Sequence, residues 1–142
     1  MPQKSSEELI QNQKFILVGE DDQDDREMLK DAFALLNESF VLLFVTSGKE
    51  ILAALEKMEG NNLPSLIVLD YNMPELNGAD ILAELNKYPS FLAIPKLVWS
   101  TSKSDKFRQL CLELGAADYV IKPATTSGLN EIAEYMTSLC RP

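Results

Sequence analysis

Asp70 ends an apolar run, Ser65-Leu66-Ile67-Val68-Leu69, and opens a loop, Tyr71-Asn72-Met73-Pro74-Glu75-Leu76-Asn77-Gly78. A carboxylate at the tip of a buried strand can attack phosphorus and can ligate a hard cation. Two other apolar runs also end in charge. Phe15-Ile16-Leu17-Val18 leads into Gly19-Glu20-Asp21-Asp22, and Tyr119-Val120-Ile121 leads into Lys122-Pro123. Crowded carboxylates repel one another unless a cation neutralises them, and a few hard oxygen ligands completed by water suit Mg2+. Phosphoryl transfer needs charge neutralisation more than elaborate covalent chemistry. Mg2+ held by Asp21 and Asp70 supplies it on one side. Lys122 supplies it on the other, as a point charge on a flexible stem. Ser100, after Val98-Trp99, offers a hydroxyl to a phosphoryl oxygen.

Each residue has a plainer reading. Acids ahead of a helix suit its N-terminal dipole, the role expected of Asp24 and Asp25. Asp70 alone reads as a helix or turn cap, and Lys122 alone as a surface lysine before a turn proline. Ser100 reads as an N-cap, a post that Ser102 or Ser104 fills equally well. Gly78 serves either a tight backbone position or the start of a helix. Lys122-Pro123 admits a cis bond, at a base rate of about 5%. Taken together, at successive strand ends of one alternating fold, the plain readings explain much less.

The elements that must position these residues alternate from Phe15 onward. Strands are expected at 15–19, Val41–Val45, 65–69, Lys96–Trp99 and Tyr119–Ile121. Helices are expected at about 23–37, from Ser47 to near Gly60, 78–87, 104–114 and 126–140. Ser47 with Glu50 three residues on makes a capping box, Pro89 limits the third helix, and Gly115 is a C′ glycine for the fourth. Five βα units imply an α/β fold, a doubly wound five-stranded parallel sheet with helices on both faces. Residues 1–13 read as a tail with a short helical turn at 7–11, and residues 14–142 as one domain. The chain ends after the fifth helix, so no attached DNA-binding or enzymatic module is expected.

Composition narrows the function. A chain of 142 residues with 46% hydrophobic and 25% charged content suits one globular domain. A formal charge of −9 disfavours binding to nucleic acid. No apolar stretch reaches membrane-spanning length, and the first twelve residues are polar, so a cytoplasmic location is expected. Cys111 and Cys140 read as free, partly buried thiols, with a disulfide as the alternative. The absence of histidine excludes Ser-His-Asp and Cys-His catalysis, histidine-ligated zinc and a histidine phosphocarrier.

With these residues in view, the chain resembles the receiver domain of two-component response regulators over about residues 14–140. It is most similar to the single-domain chemotaxis and phytochrome-associated type. The resemblance rests on the acidic pair Glu20 and Asp21, Leu-Asp-x-Asn-Met-Pro-x-x-x-Gly from Leu69 to Gly78, Ser100, and Lys122-Pro123. It implies that Asp70 is the phosphoacceptor, forming an aspartyl phosphate. Asp21, Asp70 and the Asn72 carbonyl would ligate Mg2+ directly, with Glu20 acting through water. Lys122 would contact the phosphoryl group and Pro123 would follow a cis bond. Ser100 and Tyr119 would be the hydroxyl and aromatic switch residues, and Thr101 the small residue that keeps the phosphoryl group accessible. Asn72 and Ser102 fall where the family tunes dephosphorylation.

The departures are Glu20 for the commoner Asp, Ser100 for Thr, and Gly19 for a β-branched residue, which suggests a looser end to the first strand. The implied protein is a phosphoacceptor rather than an enzyme, although it assists its own phosphorylation and dephosphorylation. A sensor histidine kinase is its partner. The face made by the fourth helix, fifth strand and fifth helix meets an unnamed downstream protein or a second copy in a homodimer. Two alternatives remain open: a receiver-fold interaction module that does not use phosphate, and a phosphohydrolase. The hydrolase reading lacks an acid two residues after Asp70, where Asn72 stands.

Overall fold

The computed structural model describes residues 14–36, 40–58 and 62–141. The expected tail at 1–13 with its helical turn lies outside the described residues, whereas the first helix ends at Ala34 with Leu35 as its C-cap and the second at Glu56 with Lys57 as its C-cap, short of the expected ends at 37 and near Gly60. Strands β1 (Phe15–Gly19), β2 (Val41–Val45), β3 (Leu66–Asp70), β4 (Lys96–Ser100) and β5 (Asp118–Ile121) form one parallel sheet ordered β2-β1-β3-β4-β5. The helices are α1 (Gln23–Ala34), α2 (Gly48–Glu56), α3 (Gly78–Leu85), α4 (Asp105–Glu113) and α5 (Thr126–Leu139). The doubly wound sheet expected from the βα rhythm is therefore present.

Strand side chains alternate between two apolar layers because successive Cβ atoms point to opposite faces. Ile16, Val18, Leu66, Val68, Leu97 and Trp99 pack with Leu29, Ala32 and Phe33 of α1 and Leu129, Ala133 and Met136 of α5. Leu17, Ile67, Leu69 and Val98 pack with Ile51 and Leu55 of α2, Ile81 and Leu82 of α3, and Cys111 of α4. Each fully buried Leu or Ile contributes roughly 1.5–3 kcal/mol, so the three central strands anchor the fold. In strand order the chain reverses between β1 and β3. Crevices at such reversals, outside the carboxyl ends of the strands, are where α/β sheets hold ligands.

Local chemistry sets the element ends. Ser104 is the α4 N-cap, its hydroxyl accepting from the Phe107 amide at 3.2 Å, and Gly115 takes the left-handed φ of 98° after α4. At α2, Ser47 accepts from the Glu50 amide, but the Glu50 carboxylate accepts from the Thr46 amide at 2.7 Å, one residue earlier than a capping box requires. The reciprocal box occurs at α3 instead, between Asn77 and Asp80. Helix α3 stops at Leu85, two residues short of the expectation. Pro89 then starts a further single helical turn, Pro89–Leu92, because its fixed φ suits the first helical position. The Phe91 carbonyl of that turn accepts a hydrogen bond from Lys96, a lysine buried at the foot of β4 whose pKa burial lowers.

Candidate functional site

Strand ends bring the site together. Asp70 is the last residue of β3, paired in register with Trp99, and Ser100 is the last of β4, each one residue deeper in the sheet than expected. Glu20 follows β1 and its amide donates to the Val45 carbonyl of β2 at 2.9 Å. The Lys122 amide donates to the Ser100 carbonyl at 2.8 Å, which fixes the start of the lysine stem beside β4. Carboxylate oxygens of Glu20, Asp21 and Asp70 all lie within 4.8 Å of one another. Glu20 and Asp70 are buried, whereas Asp21 is exposed at the mouth.

Lys122 Nζ sits among three carboxylates. It lies 2.6 Å from Glu20 Oε1, 2.8 Å from Asp25 Oδ2 and 3.1 Å from Asp70 Oδ2. The nearest contact is a charge contact without hydrogen-bond alignment, since Glu20 Oε1 has no hydrogen-bond partner. The other Glu20 oxygen accepts from the Asp22 amide at 3.1 Å. Asp70 Oδ1 accepts from the Asn72 amide at 3.1 Å, so one carboxylate oxygen is held by the loop and the other faces the cation. Burial works against the Lys122 ammonium, but the hydrogen bond to Asp25, the close contact with Glu20 and the charge of Asp70 overcome it and raise its pKa. Burial pushes the Glu20 carboxyl up to about 8, with Asp70 adding to the rise and Lys122 opposing it. A buried carboxyl with one oxygen unaligned, beside two more carboxylates, fits a hard divalent cation.

The remaining expected residues fall into two groups. Ser100 is fully buried, and its hydroxyl accepts from the Ser102 amide at 3.0 Å. The Ser102 hydroxyl accepts from the Ser104 amide at 3.2 Å, so a run of hydroxyl-to-amide bonds connects Ser100 to the α4 cap. The Tyr119 ring is buried, and its hydroxyl donates to the Ser102 carbonyl at 2.8 Å. It meets the Tyr71 ring edge-on at 6.5 Å, and Tyr71 stacks on Phe107 of α4 at 4.3 Å. Thr101 and Asn72 are exposed beside this core, and the only role shown for Asn72 is its amide bond to Asp70.

Gly78 meets both of its readings. It starts α3, and a Cβ there would stand 3.1 Å from the Tyr71 Cα, while its amide donates to the Tyr71 carbonyl at 2.9 Å. The expected cis bond before Pro123 is corrected: no described peptide bond is cis, so Lys122–Pro123 is trans. The trans isomer is the intrinsically favoured one, and from it Lys122 still reaches all three carboxylates. The looser end expected for β1 is also absent. Gly19 is buried and pairs with both β2 and β3, and a Cβ there would stand 2.8 Å from Met73 Cε, so the missing side chain makes room for Met73.

Sequence reasoning missed Asp25. A dipole role in the first turn of α1 explained it equally well, and the bond to a lysine 97 residues away leaves no local signal. Trp99 is buried in the core, and Lys122 Nζ lies 5.0 Å from its ring centroid. Cys111 and Cys140 are not joined in a disulfide, and burial pushes the Cys111 thiol up to about 11, the mark of an inert thiol.

The family model described as the response regulator receiver domain matches residues 16–134. The chain belongs to that family. It is 29% identical over 121 residues to the two-component response regulator ORR13 of Oryza sativa subsp. japonica, covering 85% of this chain and 96% of the relative. Among solved structures it resembles the phosphorylated cyanobacterial phytochrome response regulator RcpA. The TM-score is 0.79 at 30% identity, with 91% of this chain and 97% of that one covered. The Mn(2+)-bound form of response regulator Rcp1 gives a TM-score of 0.77 at 26% identity, covering 88% and 92%. This receiver domain is thus a two-component signalling module with an acidic pocket suited to a divalent cation and an aspartyl phosphate. Among the described residues no helix is long and apolar enough to cross a membrane.

Proposed function

We propose that this receiver domain is a phosphorylation switch in which Asp70 accepts a phosphoryl group from a sensor histidine kinase. The observation that carries the reading is the contact of Lys122 Nζ with Asp70 Oδ2 inside the carboxylate cluster at the β1/β3 crevice. A carboxylate oxygen of Asp70 attacks phosphorus as the bond from phosphorus to the donor breaks, and the donor leaves with the electron pair. Lys122 follows the negative charge from the carboxylate to the phosphoryl oxygens. Glu20, Asp21, Asp70 and the Asn72 carbonyl would hold Mg2+, which supplies charge neutralisation when bound. The Mn2+ bound by Rcp1 and the phosphorylated state of RcpA, both on this fold, support that reading.

Ser100 donates to a phosphoryl oxygen, and Tyr119 carries its displacement to the α4–β5–α5 face. Arg108 of α4 and Tyr135 of α5 already converge there on Asp118 of β5, at 3.5 Å and 2.6 Å. That face meets a downstream protein or a second copy. A partner that prefers one state of the face shifts the switch only by its difference in affinity for the two states. Thr101 leaves the phosphoryl group open to water. The receiver domain, residues 14–142, acts in the cytoplasm. Intact mass after incubation with acetyl phosphate and Mg2+ tests the reading. One phosphoryl adduct is expected on the wild type and none on Asp70→Asn. An adduct surviving Asp70→Asn contradicts the assignment of Asp70 as the acceptor, and none on the wild type with beryllofluoride also failing to bind leaves an interaction module that does not use phosphate.

A further inference from the structure

Asp25 plays no part in the metal cluster, yet its carboxylate lies nearer the lysine ammonium than that of Asp70. We propose that Asp25 is a positioning residue for phosphoryl transfer, holding Lys122 on the acceptor while the other carboxylates serve the metal. The inference deepens the reading of Asp70 as phosphoacceptor and rests on it.

The Lys122 ammonium has three N–H donors and no acceptor. Around Nζ stand three carboxylates, Glu20, Asp25 and Asp70. Glu20 and Asp70 belong to the cluster that fits a divalent cation. A bound cation draws on the charge of both, and phosphorylation then converts the Asp70 carboxylate into an acyl phosphate whose negative charge lies on the phosphoryl oxygens. After both events, Asp25 is the lysine's remaining carboxylate partner among the described residues. Its position suits that task. The Asp25 amide donates to Asp22 Oδ1 at 2.9 Å, which fixes the backbone in the first turn of α1, and its side chain is largely covered. The lysine stem is anchored at its other end by its amide bond to Ser100. With both ends fixed, the N–H that points at Asp70 Oδ2 is already aimed where the phosphoryl oxygens arise. Orientation of this kind acts on the rate of the bound complex more than on metal affinity.

Asp24 is the built-in control. It occupies the same helical turn with the same charge, is exposed, and is not among the carboxylates paired with Lys122. A dipole effect of acids on α1 treats the two positions alike, whereas a positioning effect belongs to Asp25 alone.

The test uses the full chain with acetyl phosphate and Mg2+. The Asp70 carboxylate attacks phosphorus, the bond from phosphorus to the acetate oxygen breaks, and acetate leaves with the electron pair. Phosphorylation is followed by intact mass at saturating donor, and Mg2+ binding by the emission of Trp99, the single tryptophan, which lies against Lys122 Nζ. Asp25→Ala and the isosteric Asp25→Asn are expected to slow phosphorylation by roughly tenfold and threefold, the loss of one charge-assisted hydrogen bond being complete in the first and partial in the second. Both are expected to change Trp99 emission in the Mg2+-loaded protein while moving the Mg2+ dissociation constant by less than about threefold. Asp24→Asn is expected to match the wild type in every readout. An unchanged or faster rate in both Asp25 variants overturns the proposal. So does a slower rate with unaltered Trp99 emission, because the effect then does not pass through Lys122. So does an equal loss in Asp24→Asn. A wild type that takes up neither a phosphoryl group nor beryllofluoride overturns the phosphoacceptor reading itself, and this inference with it. That failure is distinguishable from one in which the wild type is labelled and the Asp25 variants keep pace.

Discussion

Replacing Glu20 by glutamine should remove a pH dependence of stability that the metal-free wild type shows between about pH 6 and pH 8. The Glu20 carboxyl rises from an ordinary 4.5 to about 8 in the folded protein. Between those values the native state holds a proton that the unfolded chain has released, so stability falls as pH rises through the window. The gap is worth roughly 5 kcal/mol at most, and about 2 kcal/mol of it lies between pH 6 and pH 8. The window is unusually clean. The chain has no histidine, the one side chain whose ordinary pKa falls there, and Cys111 is pushed above it. Urea unfolding in a chelator, followed by far-ultraviolet circular dichroism, measures the effect. The wild type should lose about 2 kcal/mol across the window, while Glu20→Gln, which keeps the shape and cannot ionise, should stay nearly level. Adding Mg2+ should restore the wild type most strongly at the alkaline end, because the cation competes with the same proton. A metal-free wild type whose stability is constant or rises with pH, or a Glu20→Gln variant that falls equally, would refute the reasoning.

Two further outcomes follow from local geometry. Ser104→Ala should cost about 1 kcal/mol in urea unfolding, the usual loss for an N-cap hydroxyl, because the Phe107 amide of α4 loses its acceptor. Phe107→Ala should cost more, about 2–3 kcal/mol, since it removes both a half-buried ring and its stack on Tyr71; a cost under about half a kcal/mol would mean that α4 is held to the loop after Asp70 by other contacts.

Much of this domain was legible in the chain because its signals are local. The apolar runs at 15–19 and 41–45 matched β1 and β2 residue for residue, because a strand buried on both faces, as β1 is, needs an unbroken hydrophobic run, and the half-buried edge strand β2 carries one too. Gly115 marked the end of α4 because a left-handed φ is a property of one residue and its neighbours. The acids after β1, Asp70 and Lys122 were identifiable for a related reason: each is a charge at the end of an apolar run, and the βα rhythm alone puts all such ends on one edge of the sheet.

What the chain did not determine by itself is how those charges meet. Asp25 looked like one more acid in a helical first turn until folding carried it to Lys122, and the pull of that lysine on three carboxylates arises only where β1, β3 and β5 converge. The reason for Gly19 lay in Met73, far along the chain. Local propensities depend on a few adjacent residues and can be read from them. Desolvation and Coulomb energies depend on distances between residues far apart in sequence, so the protonation of Glu20 and the aim of Lys122 were decided only by the tertiary structure.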